Sequence, residues 1–468
     1  MTKHQFKISA SGGAHDDGQY ATVRAQSAAM EAGQASSSEQ VELCIARIDD
    51  PMGEGIRTFT TVWREQARDV AAAQDTLLRS GYRASPIAGI PVSIKDLLDV
   101  KGEVTRAGAL ALDDMPVAAC DAPVVSRLRS SGAVLIGRTN MTPFAFSVVG
   151  LNSHFGTPGN PWDRDRIPGG SSSGAAVSVA DGMVAAAIGS DTVGSIRVPA
   201  ALCGVVGFKP TQRAVPLSGA VPLSPTLDSI GPLARSVADC AAIHAIISGE
   251  AAVPLDLIGV RGLTFGVPRE IVLDDLDIEV GRAFERACAL ISEAGARIDL
   301  VSFKALREVE ALNGNRVIQL AEAYAWHREL LERRGADYDP RISARVRSGA
   351  QILAADYLSM LSHRRRLMQE FDAATSGFDA LLLPTTSIIA PTFDECMAAE
   401  DAVRTKLLRN TGPFNFLDCC SISLPVHRPG EAPVGLMVAG HRNGDWQLLK
   451  IANAIESIIA GAASRSKS

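Results

Sequence analysis

The sequence predicts a layered α/β fold with a largely buried sheet, and three observations carry that prediction. Short apolar runs bounded by Gly and Pro recur along the chain: GIPVSIK, AVLIGRT, MVAAAIGSD, GVVGFKP and LTFGVP. Runs of this kind read as strands covered on both faces. Helical segments such as APVVSRLRSSG and SVADCAAIHAIISG separate them, and strands alternating with helices imply helices packed against a sheet. Strand-like runs also reappear late, in FDALLLPTT and CSISLPV, after a long helical stretch. Strands on both sides of that stretch argue for one interleaved domain.

Residues 1–18 carry no apolar periodicity and are expected to be disordered. Residues 20–80 read as helices. In EQVELCIARI, Val41, Cys44, Ile45 and Ile48 fall at i, i+3, i+4 and i+7. Thr61–Leu78 has similar spacing and ends before Ser80-Gly81, a reasonable stop. Residues 280–378 are mostly helical and more charged. The HRRR run at His363–Arg366 reads as a solvated helix face. A last helix is expected from about Asp445 to Ile459. The domain is therefore placed at residues 19–468, with a variable helical section at about 300–380.

A chain of 468 residues can bury a large core. Its formal net charge of −6 argues against nucleic acid as a partner, since phosphate binding needs clustered positive charge. The N-terminal MTKHQFKISASGG has no apolar h-region, and no apolar run is long enough to span a bilayer. A cytoplasmic protein with no membrane contact is expected. The eight cysteines are scattered and none has C-x-x-C spacing with matching histidines. Buried thiols in a reducing compartment are expected, and no zinc.

The densest chemical signal lies between Gly169 and Arg197, in GGSSSGAAVSVADGMVAAAIGSDTVGSIR. A phosphate-cradling loop would need a Lys after the glycines, and none follows GGSSSG. Gly170–Gly174 formally matches G-x-S-x-G with Ser172 as nucleophile and His427 or His441 to close a triad. That elbow must follow a strand, and the preceding NPWDRDRIP is not one. The third reading is serine chemistry driven by lysine. Only His154 lies between Lys95 and Ser195. Lys95 sits among Pro91, Val92, Ile94, Leu97 and Leu98, surroundings able to depress an amine's pKa until it serves as a base. Asp96 would oppose that effect if it faced the lysine. In isolation, Lys95 reads better as a snorkelling or salt-bridged side chain than as a base.

These pieces together resemble the amidase signature family. They are GIPVSIKDLLDVKG around Lys95, GRTNMTPFAFS to NPW, PGGSSSGAAVSVADGM, GSDTVGSIRVPAALCGVVGFKPT, and SPTLDSIGPLARSVAD ending at Asp239. The strong similarity covers about residues 85–240, with weaker echoes in FDALLLPTT and PVGLMVAGHRNGDWQLL. The resemblance implies a single α/β/α domain around a large mixed sheet. It implies an amidase acting on a small or medium neutral amide, with no metal or cofactor. Ser195 would form the acyl-enzyme. Ser171, on a cis peptide after Gly170, would bridge protons to Lys95, the base. Backbone N–H groups of Thr192, Val193, Gly194 and Ser195 would form the oxyanion hole. Val193 stands where glycine is usual, and valine resists positive φ. Either the loop tolerates an L-residue there or its donor geometry differs, and the side chain would narrow the acyl pocket.

Asp191 and Arg197 would brace the nucleophile loop, or else form a surface ion pair. Ala145 and Ser147 would line the site, with Phe144 and Phe146 as apolar walls or as core. Tyr324, Trp326 and Tyr357 are further candidates for pocket walls. The same machinery serves carbamates, esters and anilides. The amidase component of a tRNA-dependent amidotransferase is also similar, although the C-terminal tail reads as in free amidases. The intact Lys95, Ser171 and Ser195 argue against a catalytically dead binding protein. The partners expected are a small-molecule amide-type substrate and, at most, a second copy of the chain in a homodimer.

Overall fold

The computed structural model describes residues 21–256, 259–312 and 314–465. The expected N-terminal disorder falls outside them. Eleven strands form one sheet: β1 (Phe59–Val62), β2 (Pro91–Lys95), β3 (Val134–Thr139), β4 (Ala186–Asp191), β5 (Val206–Lys209), β6 (Ser229–Ala234), β7 (Thr264–Pro268), β8 (Arg297–Val301), β9 (Ala380–Pro384), β10 (Ser421–Pro425) and β11 (Gly435–Ala439). Their spatial order is β1-β3-β2-β4-β6-β5-β10-β11-β9-β7-β8. Strands β3, β2 and β4 run parallel, as do β9, β7 and β8, and the rest pair antiparallel. The sheet is mixed, as expected, and takes strands from both sides of the helical section.

Strand alternation sends neighbouring side chains into separate cores. Ala186 and Ile188 of β4 join one cluster with helices Pro123–Ser130, Val237–Ser248 and Asp445–Arg465. Ala187 between them joins the other, with helices Ser37–Ile48, Ser173–Ala180 and Arg197–Cys203. Leu381 and Leu383 of β9 likewise leave the cluster that Ala380 and Leu382 join. Helices therefore cover both faces, which is why the central strands read as continuous apolar runs. The edge strand β8 is half-exposed and alternates too weakly to stand out inside a charged helical section.

Three expectations need correction. The helix expected from Thr61 begins at Arg64, because Phe59–Val62 pairs with β3 and Trp63 N–H donates to the Ile136 carbonyl. The β-branched Thr60, Thr61 and Val62 favour that extended pairing. The HRRR run is not wholly solvated: Arg364 is buried and its Nε donates to the Phe416 carbonyl at 2.7 Å, whereas Arg366 pairs with Glu308 and Glu370. The last helix continues to Arg465. All eight cysteines are free thiols and six are buried; Cys120 is exposed. Among the described residues, no helix is long and apolar enough to cross a membrane.

Candidate active site

The site assembles at the carboxyl ends of β2 and β4. These strands are parallel neighbours, with Val92 opposite Ala186 and Ile94 opposite Ile188. Their ends therefore place Lys95 beside Ser190 and Asp191, in the position where open α/β sheets present ligand crevices. The loop entering helix Ser173–Ala180 lies across the same ends and carries Ser171 and Ser172.

Lys95 is fully buried. Its Nζ donates to Ser171 Oγ at 2.7 Å, Ser190 Oγ at 2.8 Å and Ser172 Oγ at 2.9 Å. Burial depresses the amine, the charges of Asp191 and Asp228 pull it back, and the balance rests at about 7. Asp96 does not oppose this, because strand alternation turns it away from Lys95. Its carboxylate lies 3.6 Å from Arg138 and accepts from Gly108 N–H at 3.0 Å.

The chain after β4 is pinned by Asp191. One carboxylate oxygen accepts from Ile196 N–H at 3.1 Å, Arg197 N–H at 3.4 Å and Arg197 Nε at 3.0 Å. The other accepts from Arg197 at 3.1 Å and Asn415 at 2.8 Å. Burial alone would raise this carboxyl, but the Arg197 guanidinium, Lys209 and Asn415 more than offset it and hold it at about 2. Neither partner has exposed surface, so the surface-pair alternative does not hold. Arg197→Met is expected to cost about 3–5 kcal/mol, since it strands a buried carboxylate. Chemical denaturation checks this through a lowered midpoint.

Within the pinned loop, Gly194 takes φ 145°, and a Cβ there would lie 2.3 Å from Thr411 Oγ1. Glycine is needed at 194, not at 193. Val193 avoids positive φ, and its carbonyl accepts from Thr411 Oγ1 at 2.7 Å. The loop tolerates valine without strain. The peptide Gly170–Ser171 is cis, and a Cβ on Gly170 would meet Gly150 Cα at 2.7 Å. Ser172 N–H donates to the Ser195 carbonyl at 3.2 Å, so the two serine loops are joined directly.

A cavity of about 260 Å³ lies beside this machinery: Ser190, a partner of Lys95, and Thr192, of the pinned loop, border it with Ser218, Asp228 and Ser229, whereas Lys95, Ser171 and Ser195 do not. Leu97, Leu217, Val221, Pro222, Leu223 and Ile230 supply most of its apolar wall. A family model described as Amidase matches residues 39–449. The chain belongs to the amidase family. As a member it is a hydrolase of carbon–nitrogen bonds. It is 35% identical over 406 residues to 2-amino-5-chloromuconic acid deaminase of Comamonas testosteroni, covering 84% of this chain and 87% of that one. It is 32% identical to the A component of the glutamyl-tRNA(Gln) amidotransferase of Chloroflexus aggregans, covering 94% and 96% of the two chains. A crystal structure of an amidase superposes with a TM-score of 0.85 at 32% identity, covering 93% of this chain and 99% of that one.

In this amidase-family chain, the four residues expected to line the site part company. Ala145 borders the cavity, but Ser147 does not, and its hydroxyl is buried without a partner. Phe146 lies in the core. Phe144 faces away, stacked on Tyr338 at 4.9 Å and edge-on to His327 at 4.5 Å. Phe144 and Ala145 both adopt positive φ, 54° and 58°. Such consecutive left-handed residues are costly without glycine, and the aromatic contacts oppose their relaxation. Neither Val193 nor the helical aromatics Tyr324, Trp326 and Tyr357 border the cavity. Trp326 packs against His327, and Tyr357 donates to Glu322 at 2.7 Å. His154 lies away from the lysine, its ring accepting from Leu110 N–H.

Sequence reasoning missed Ser172 and Ser190 as partners of Lys95. It also missed Asp228, which accepts from Thr192 Oγ1 at 2.5 Å and from Leu223 N–H and Ser224 N–H, each at 3.0 Å. Burial lifts Asp228 to about 6, against those same donors. The available signal was its place just before β6, but the pairing of β6 with β4 was not readable from SIGPLA, which contains both Gly and Pro.

Proposed function

We propose that the chain hydrolyses an amide with an uncharged, largely apolar acyl group, through an acyl-enzyme on Ser195. Lys95 is the base and Ser171 the proton bridge. The observation that carries this is the buried Lys95 amine, poised at about 7 and 2.7 Å from Ser171 Oγ, on a loop bonded to Ser195. An amine at that balance is partly neutral near pH 7 and accepts a proton. Ser171 passes its proton to Lys95 Nζ and takes one from Ser195 Oγ, which attacks the carbonyl carbon. Backbone N–H groups at Thr192, Val193, Gly194 and Ser195 receive the oxyanion, each such donor typically contributing about 3–4 kcal/mol. Lys95 returns its proton through Ser171 to the leaving nitrogen, and the C–N bond breaks. Water repeats the sequence on the ester to release the acid. Asp191 and Arg197 hold the loop in register for both halves.

The lining of the cavity supports an uncharged acyl part. It holds no cationic side chain, and its one carboxylate, Asp228, is already met by three donors. A carboxylate-bearing substrate, such as the acid in the name of the Comamonas relative, would enter unpaired, at a cost of several kcal/mol. The purified chain should therefore prefer phenylacetamide to succinamic acid or glutamine by about a hundredfold or more in kcat/KM. Comparable rates for the carboxylates overturn the reading. Esters, anilides and carbamates with the same acyl or leaving groups belong in the same screen, since one acyl-transfer site serves all four.

The extent of similarity to the amidotransferase component favours a second reading, a chain that works within a complex. Activity of the purified chain alone on simple amides rejects it; activity restored only by partner proteins supports it. The expected setting is the cytoplasm, with a homodimer as the alternative to a monomer.

A further inference from the structure

We propose that Glu322, on helix Gly314–Arg334, is a positioning residue that clamps the acyl-facing wall of the cavity and so sets how well long acyl groups are accepted; this rests on the amide-hydrolase reading above. The wall is the connection between β5 and β6. Leu217, Ser218, Val221, Pro222, Leu223 and Pro225 border the cavity, yet the segment has no regular secondary structure of its own. Its shape must come from bonds made by its ends and its neighbours.

Val221 N–H donates to the Leu97 carbonyl and the Gly219 carbonyl accepts from Asp99 N–H, which pins the middle of the segment, and two carboxylates hold the stretch that follows. Asp228 closes the turn internally through Leu223 N–H and Ser224 N–H, and ties it to the nucleophile loop through Thr192 Oγ1. Glu322 reaches the same turn from outside. One of its oxygens accepts from Ser224 Oγ and, at 3.1 Å, from Thr226 N–H. The other accepts from Thr226 Oγ1 and from the hydroxyl of Tyr357, at 2.7 Å, on helix Ala354–Thr375. A single carboxylate on one helix thus takes four donors, three from the loop and one from a second helix. Ser224 is shared, its N–H on Asp228 and its hydroxyl on Glu322. The path Tyr357–Glu322–Ser224–Asp228–Thr192 joins the helical section to the loop that holds Ser195. Glu322 does not border the cavity, so it acts through Leu223 and Pro225, which do. Charge-assisted bonds of this kind hold a wall more stiffly than neutral ones.

The test uses the full chain and p-nitrophenyl esters from acetyl to hexanoyl. In Glu322→Ala, the hexanoyl-to-acetyl ratio of kcat/KM should fall about tenfold, with KM for the hexanoyl ester rising more than kcat falls. Glu322→Gln keeps one acceptor oxygen and the side-chain length, and should restore part of the ratio. Tyr357→Phe should shift it in the same direction by less. A merely structural role lowers all esters in proportion, and that uniform loss, or an unchanged ratio, overturns the proposal. Hydrogen exchange at residues 222–228 gives a readout without turnover. Exchange should quicken in Glu322→Ala, and retained slow exchange also overturns the clamp. A wild-type chain that hydrolyses no ester or amide instead defeats the function reading, and leaves the exchange result to decide the clamp.

Discussion

Ser195→Ala should abolish formation of the acyl-enzyme and lower kcat/KM by at least about 10⁴. The alanine keeps the loop's backbone, because the Ser195 carbonyl, not its side chain, accepts from Ser172 N–H. Gly194 and the Asp191–Arg197 pair, which shape the loop on either side, are untouched. The loss therefore measures the hydroxyl alone. Intact mass after mixing with a p-nitrophenyl ester separates the alternatives. The wild-type chain should gain one acyl group and Ser195→Ala none. An adduct that persists, on Ser171 or Ser172, would move the nucleophile to the other loop and reverse the relay.

Lys95→Ala should lower kcat/KM by about 10²–10⁴, the usual contribution of a positioned general base. The pH dependence is the more telling readout. With the amine at about 7, the neutral, proton-accepting form predominates above that pH and the charged form below it. Wild-type kcat/KM should therefore fall about tenfold per pH unit on the acid side and level off on the alkaline side. The variant should lose this limb and regain some activity at high pH, where hydroxide substitutes for the amine. A wild-type profile retained without Lys95 rejects it as the base. Because the amine also donates to Ser171, Ser172 and Ser190, its removal leaves three hydroxyls to re-pair. Lys95→Met keeps the volume of the stem, and the same loss of the limb in both variants excludes a packing artefact.

Much of the sheet was legible because strands covered on both faces leave an unbroken apolar run between Gly and Pro. GIPVSIK, AVLIGRT, MVAAAIGSD, GVVGFKP and LTFGVP all became strands. Four strands went unread: Gly435–Ala439 carries the signature and was passed over, and the other three lack it. Phe59–Val62 and Arg297–Val301 lie at the two edges, and Ser229–Ala234 hides its pattern behind Gly231 and Pro232. The aromatic residues misled for a different reason. Phe144 lies next to a cavity-bordering residue in sequence, but left-handed backbone at 144 and 145 sends its ring to Tyr338 and His327.

The sequence by itself determined which groups are available: Lys95 at the end of an apolar strand, two serine loops, and an Asp–Arg pair flanking the second. It determined the buried sheet as well, since apolar runs and helical spacing are local properties. Tertiary structure decided what those groups are to each other. Parallel pairing of β2 with β4 set Lys95 against Ser190, the loop across the strand ends brought Ser171 to it, and pairing of β2 with β3 put Asp96 beside Arg138. It also brought Asp228 and Glu322 to the cavity wall from positions that no local pattern connects. Burial did the rest: desolvation of the Lys95 amine depends on everything packed around it, and a sequence read in order does not list its neighbours in space.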